Sequence, residues 1–184
     1  MKGSLCWCKS PHRPCLIAAI VAFEEVVSCE AFKTYHLHPP LMLPDTIHKL
    51  PQSERFAYAQ LLAYMTRVDN ELTVEEMSMF EQRLGTALLS PKQRKMIRAS
   101  LKNPPSLDEC LENLGDEAGR LALRDAVLMS ASDGTVDEDE RDILEEIAEH
   151  LGLKDDAVDR LLEWTVEGYA WMQIGYDLLN DLSR

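Results

Sequence analysis

The chain has 184 residues, 46% of them apolar and 28% charged, and its net charge is −13. That length suits one globular domain with a sizeable core, and no apolar run approaches the ~20 residues of a membrane span, which excludes direct insertion. Beyond Pro105, Asp and Glu outnumber Lys and Arg by 22 to 6, so that half repels phosphate. The only candidate anion surface is the cluster Lys92, Arg94, Lys95, Arg98 and Lys102, which reads as a solvated helix face; no nucleic-acid partner is expected.

Residues 1–42 differ in character from the rest. A basic start leads to the short apolar segment Cys15–Phe23 and then Glu24 and Glu25, too short for a secretory signal or a span. Cys6, Cys8, His12 and Cys15 offer zinc ligands superficially, but their gaps miss the usual finger spacings. The segment is expected to be a disordered or spurious extension, with translation starting as late as Met42. The all-helical domain then occupies 43–184. Only Cys110 belongs to that domain, so its core needs no disulfide, which points to a reducing, cytoplasmic compartment.

From Leu43 onward the punctuation is helical. Phe56, Ala59, Leu62 and Ala63 have the three-and-four spacing of an amphipathic helix, as do Ile143, Leu144, Ile147 and Leu151. Ser90 with Pro91 and Gln93, and Ser106 with Glu109, match capping boxes, while Gly85 and Gly152 sit where helices should stop. The tail from Asp155 to Leu179 should be one long helix. It sets Trp164, Trp171 and Leu178 on one seven-residue row and Leu161, Gly168, Gly175 and Leu182 on another. An earlier helix of the same domain is expected to approach the glycines, with the tryptophans in the core; a homodimer is the other occupant, broken by Gly168→Leu. No strand alternation is found.

Two stretches repeat. Tyr64, Met65, Asp69, Thr73, Glu76 and Phe80 match Leu128, Met129, Asp133, Asp137, Glu140 and Leu144, every pair offset by 64. Each unit is a helix, an acidic turn and a second helix, so the fold expected is a single all-α bundle of about seven helices built on that duplication. Thr73 with Glu76, and Asp137 with Glu140, read as N-cap and N3 partner. Asp69 and Asp133 lie four residues before the caps, and the Asn or Gly after each suits an Asx-type turn. The alternative is a metal site: carboxylates from both turns would present hard oxygen ligands for calcium, magnesium or manganese, though two helix N-termini oppose a cation. An EF-hand fails, since counting from Asp133 puts Glu138 where glycine is required and Leu144 where a bidentate glutamate is required.

The paired pattern D-[NG]-x-[LV]-[TD]-x-x-E, present as DNELTVEE and DGTVDEDE on successive helix pairs, resembles the tellurite-resistance protein B (TerB) family over about residues 53–182. The amino-terminal domain of the DjlA co-chaperone belongs to the same wider group. The resemblance implies an all-α domain without catalytic activity, with clustered acidic residues that bind a divalent cation. Asp69, Glu76, Asp133 and Glu140 carry over as the family's acidic pairs, and Asp137 joins them as part of the dense second cluster. It also implies a role in tellurite and other chemical stress, with a protein partner in membrane-associated complexes. The chain departs from the family at Asn70, where glycine is usual and a positive φ is harder.

No enzyme site assembles from the sequence. Ile147 stands three before His150, which removes the Glu-x-x-His di-iron signature, and His-Glu-x-x-His, a phosphate-binding glycine loop and a nucleophile elbow are missing. A metallohydrolase requires an acidic cluster holding an exchangeable water. The function expected is therefore a non-enzymatic TerB-like binding module, with a co-chaperone-like or scaffolding module acting without metal as the alternative.

Overall fold

The computed structural model describes residues 46–68 and 73–183. The expected extension 1–42, the Cys6–Cys8–His12–Cys15 arrangement, Asp69 and Asn70 lie outside them. A single 3-10 turn, Ile47–Lys49, leads into α1 (Gln52–Met65), α2 (Val74–Thr86), α3 (Pro91–Ser100), α4 (Leu107–Leu111) and α5 (Asp116–Ser130). A second 3-10 turn, Ala131–Asp133, precedes α6 (Glu138–His150) and α7 (Ala157–Leu182). The described residues are thus all-α, with seven helices and no strand.

The helices begin where side chains can satisfy their orphan N–H groups. All four capping boxes read from sequence form: Thr73 with Glu76, Ser90 with Gln93, Ser106 with Glu109 and Asp137 with Glu140. Each contributes about 0.5–2 kcal/mol over an uncapped start. The duplication survives folding residue for residue, since α2 and α6 start and stop at positions 64 apart. Phe80 and Leu144, which correspond, are both fully buried, and so are Met65 and Met129 to within 2%.

Helix α5 lies at the centre and packs on α1, α2, α6 and α7. Its buried face, including Ala122, Leu123, Ala126 and Val127, meets Tyr58 and Leu62 of α1, Phe80 and Leu84 of α2, and Leu144 and Ile147 of α6 in one cluster. Gly119 lets Leu151 come close, for a Cβ there would lie 2.3 Å from Leu151 Cδ2. The most deeply buried charge among the described residues lies here. Asp125, with no exposed surface, accepts from the Tyr58 hydroxyl (2.6 Å) and from Arg124 Nε and Nη2 (2.8 Å each), with Arg83 Nε 3.6 Å away. A buried carboxylate is tolerable because these partners replace its hydration.

Of the two glycine stops expected, one holds and one is corrected. Gly152 ends α6 in the left-handed region (φ 63°), with a Schellman pair in which Leu153 N–H donates to Ala148 O (3.0 Å) and Gly152 N–H to Glu149 O (2.9 Å). Gly85, however, is not a stop: α2 runs on to Thr86 and turns left-handed at Leu88 (φ 48°). Arg55 Nη1 fixes that turn by donating to the carbonyls of Ala87 and Leu88, both at 2.9 Å.

The tail is one long helix, as expected, but among the described residues its second half meets no earlier helix. Only Val158 and Thr165 of α7 are buried, and residues 166–182 are exposed throughout. Trp164 and Trp171 are 48% and 63% exposed, so they are not core residues. Among the described residues nothing lies within 4 Å of a Cβ built on Gly168 or Gly175. Helices α1, α2, α5 and α6 already fill the centre, and α7 simply outruns the bundle.

Candidate functional site: the paired acidic elbows

The second elbow is built by local chemistry. The chain leaves α5 through the 3-10 turn Ala131–Asp133, and Gly134 takes the left-handed conformation (φ 99°) that a side chain would disfavour. Asp133 Oδ1 accepts from the Thr135 N–H (2.9 Å) and hydroxyl (3.0 Å), closing the Asx-type turn. Asp137 Oδ1 then accepts from the Glu140 N–H (2.8 Å), and Glu140 Oε2 from the Asp137 N–H (3.1 Å).

At the first elbow Thr73 Oγ1 accepts from the Glu76 N–H (3.1 Å) and Glu76 Oε2 from the Thr73 N–H (2.7 Å). Both N3 glutamates are 6% exposed, an unusual burial for carboxylates. The elbows are neighbours. Helix α2 packs against the turn Ala131–Asp133, and the Glu76 charge acts on Glu140. Burial pushes the Glu140 carboxyl above its usual range. The Ser130 hydroxyl and the Asp137 N–H pull the other way, and the Asp137 and Glu76 charges add to the rise.

The structure therefore brings Glu76 and Asp137 beside Glu140 and sets Asp133 in the adjoining turn, while Asp69 falls outside the described residues. Among the described residues no three His, Cys, Asp or Glu side chains converge tightly enough to hold a metal by themselves. Each of the four described carboxylates commits an oxygen to a local N–H.

Sequence reasoning missed three residues at this site. Ser130 and Ser132 flank the elbow, and their hydroxyl oxygens are buried without a hydrogen-bond partner among the described residues; Ser130 lies near the Glu140 carboxyl but outside hydrogen-bond geometry. Tyr169 of α7 reaches the turn, its hydroxyl 3.4 Å from the Ala131 carbonyl, and its pKa is raised by burial and then by the Asp133 charge. The offset of 64 held one clue. It pairs Ser130 with Thr66, another buried hydroxyl, which is satisfied by Ala63 O at 2.9 Å.

The basic cluster is a helix surface, as read. Arg98 forms a two-pronged pair with Glu81 (2.8 and 2.6 Å), which lowers the Glu81 pKa, and Arg94 Nε donates to Leu89 O. No helix among the described residues is long and apolar enough to cross a membrane.

Comparison with curated proteins and with solved structures gives no match. The sequence profile of the family described as "Tellurite resistance protein TerB" matches residues 55–163, which span both elbows and the helices that frame them. By that match and by the duplicated elbow geometry, the chain belongs to the TerB family.

Proposed function

We propose that this domain is a non-enzymatic binding module in the response to tellurite and other chemical stress, and that its paired elbows hold a divalent cation. The observation that carries this reading is the burial of Glu140 beside the charge of Glu76. Two carboxylates drawn out of water next to one another stabilise a cation as much as they disfavour each other. The donor set fits a hard ion: Glu76, Asp133, Asp137 and Glu140 supply oxygen only, the unpartnered Ser130 and Ser132 hydroxyls add two more, and Asp69 is the repeat equivalent of Asp133. Calcium, magnesium or manganese suits such ligands better than zinc. With the cation bound, the acidic surface would serve as a docking face for a protein partner in the cytoplasm, within a membrane-associated complex.

Calorimetric titration with calcium, magnesium and manganese tests the reading. Heat that is saturable at or below about millimolar metal, and lost in Asp133→Asn and Glu140→Gln, supports it. No heat with any of the three ends it.

One observation favours a second reading, a co-chaperone-like or scaffolding module acting without metal. Glu76, Asp133, Asp137 and Glu140 each already have a capping or turn partner. Partner capture that is indifferent to chelator selects this reading, and capture abolished by chelator selects the first.

A further inference from the structure

The family match ends at residue 163, yet α7 continues to Leu182. Ten large apolar side chains on that continuation, from Trp164 to Leu182, are 42–73% exposed. Together they offer on the order of 1,000 Å² of apolar surface, beyond the ~300–600 Å² of the largest patch on an ordinary monomer. One partner contributes about 800 Å² to a stable protein interface of standard size. That area is spread around the helix, so any one seam takes up part of it.

We propose that this stretch pairs with the same stretch of a second copy, antiparallel, about a two-fold axis that crosses the pair at the level of Gln173. Trp164, Gly168, Trp171, Gly175, Leu178 and Leu182 recur at alternating intervals of four and three, the seam of a two-helix coil. An antiparallel pair sets residues equally far on either side of Gln173 opposite one another. Trp171 then faces Gly175 of the second copy, Leu178 faces Gly168, and Trp164 faces Leu182. Every glycine receives a large side chain, and the open space over Gly168 and Gly175 becomes the hole for each knob. The pattern is self-complementary, as a two-fold interface demands.

A parallel pair lacks this fit. It would set Trp171 on Trp171 and Gly175 on Gly175, crowding one layer and emptying the next. Sliding the antiparallel register towards the bundle fails too, because it needs Leu161, which already packs against the core. Charge also selects a protein over a lipid surface. Between Leu161 and Ser183 the helix carries acidic residues and no Lys or Arg, whereas helices that lie on membranes are rich in both. The antiparallel arrangement further places the two acidic domains at opposite ends of a helical pair about 27 Å long, which limits their repulsion.

Sedimentation equilibrium of the full chain, from low micromolar to about 100 μM, tests the proposal. The wild type should dimerise. Gly175→Leu fills the hole for Trp171 and should weaken dimerisation at least tenfold, while circular dichroism stays helical, since leucine favours a helix over glycine. The double variant Trp171→Ala with Gly175→Leu restores a large-to-small contact in the same register and should recover the dimer. A wild-type monomer at the top concentration, a Gly175→Leu chain that still dimerises, or a double variant that does not recover would each overturn it. So would a monomer that co-sediments with phosphatidylcholine vesicles, which would assign the stretch to lipid.

Discussion

Leu88 and Gly152 hold the same place in the two halves of the duplication, just past the ends of α2 and α6, and both have a left-handed backbone, with φ of 48° and 63°. Only one of them is a glycine. Leu88 is 61% exposed, so its side chain gains little from burial to offset the strain. Leu88→Gly should stabilise the fold by about 0.5–1 kcal/mol, and Gly152→Ala should destabilise it by about 1 kcal/mol. Urea unfolding of the two variants should show midpoints moving in opposite directions at unchanged m.

Asp125 is fully buried in the apolar centre, and removing it takes away the carboxylate that Tyr58, Arg124 and Arg83 face. Asp125→Ala should cost about 3–5 kcal/mol, towards the lower end because Arg83 and Arg124 retain 18% and 24% exposure and can turn to water. Tyr58→Phe, which removes a single donor, should cost about 1–2 kcal/mol. A double-mutant cycle between the two should show clear coupling, since the 2.6 Å contact is direct.

Glu140 makes stability depend on pH. Its folded pKa lies above the unfolded one, so its protonated form favours the fold. The stability it contributes is complete below the ordinary glutamate range and is lost as pH rises through the raised value. Glu140→Gln keeps an acceptor for the Asp137 N–H without the charge. The variant should match the wild type in acid and exceed it at neutral pH, read as a difference in melting temperature across pH. Added calcium or magnesium should narrow or reverse that neutral-pH difference if the elbows hold a cation, because a ligand of the folded state stabilises only the chain that binds it.

Cys110 sits on α4 with 1% exposure, and burial, helped by the Glu109 charge, pushes its thiol up to about 11. A thiol so rarely ionised at neutral pH is a poor nucleophile. Under native conditions Cys110 should resist alkylation and should react once denaturant unfolds the domain. Mass spectrometry of the peptide that contains it separates this signal from the four cysteines of the first 29 residues.

What could be read from the sequence follows from the range of the interactions involved. The capping boxes were legible because donor and acceptor lie three residues apart, as in Asp137 and Glu140. The duplication was legible because corresponding residues repeat the same local chemistry. Asp133 stayed ambiguous, since a turn and a metal ligand ask for the same side chain; the contact with Thr135 supplies the turn. The stop at Leu88 was hidden because the residue that holds it, Arg55, lies on another helix. Periodicity likewise grouped Trp171 with its row on α7 but could not say whether anything lay opposite, and Asp125 gave no hint that Tyr58, 67 residues earlier, would meet it.

The central place of α5 bears on how the duplication can have become a domain. That helix opens the second unit, yet it packs against α1 and α2 of the first as well as α6 of its own. A single unit expressed alone would either lose α5 or leave half of its apolar surface in water. The two units thus share a single core, and neither half covers its apolar face without the other.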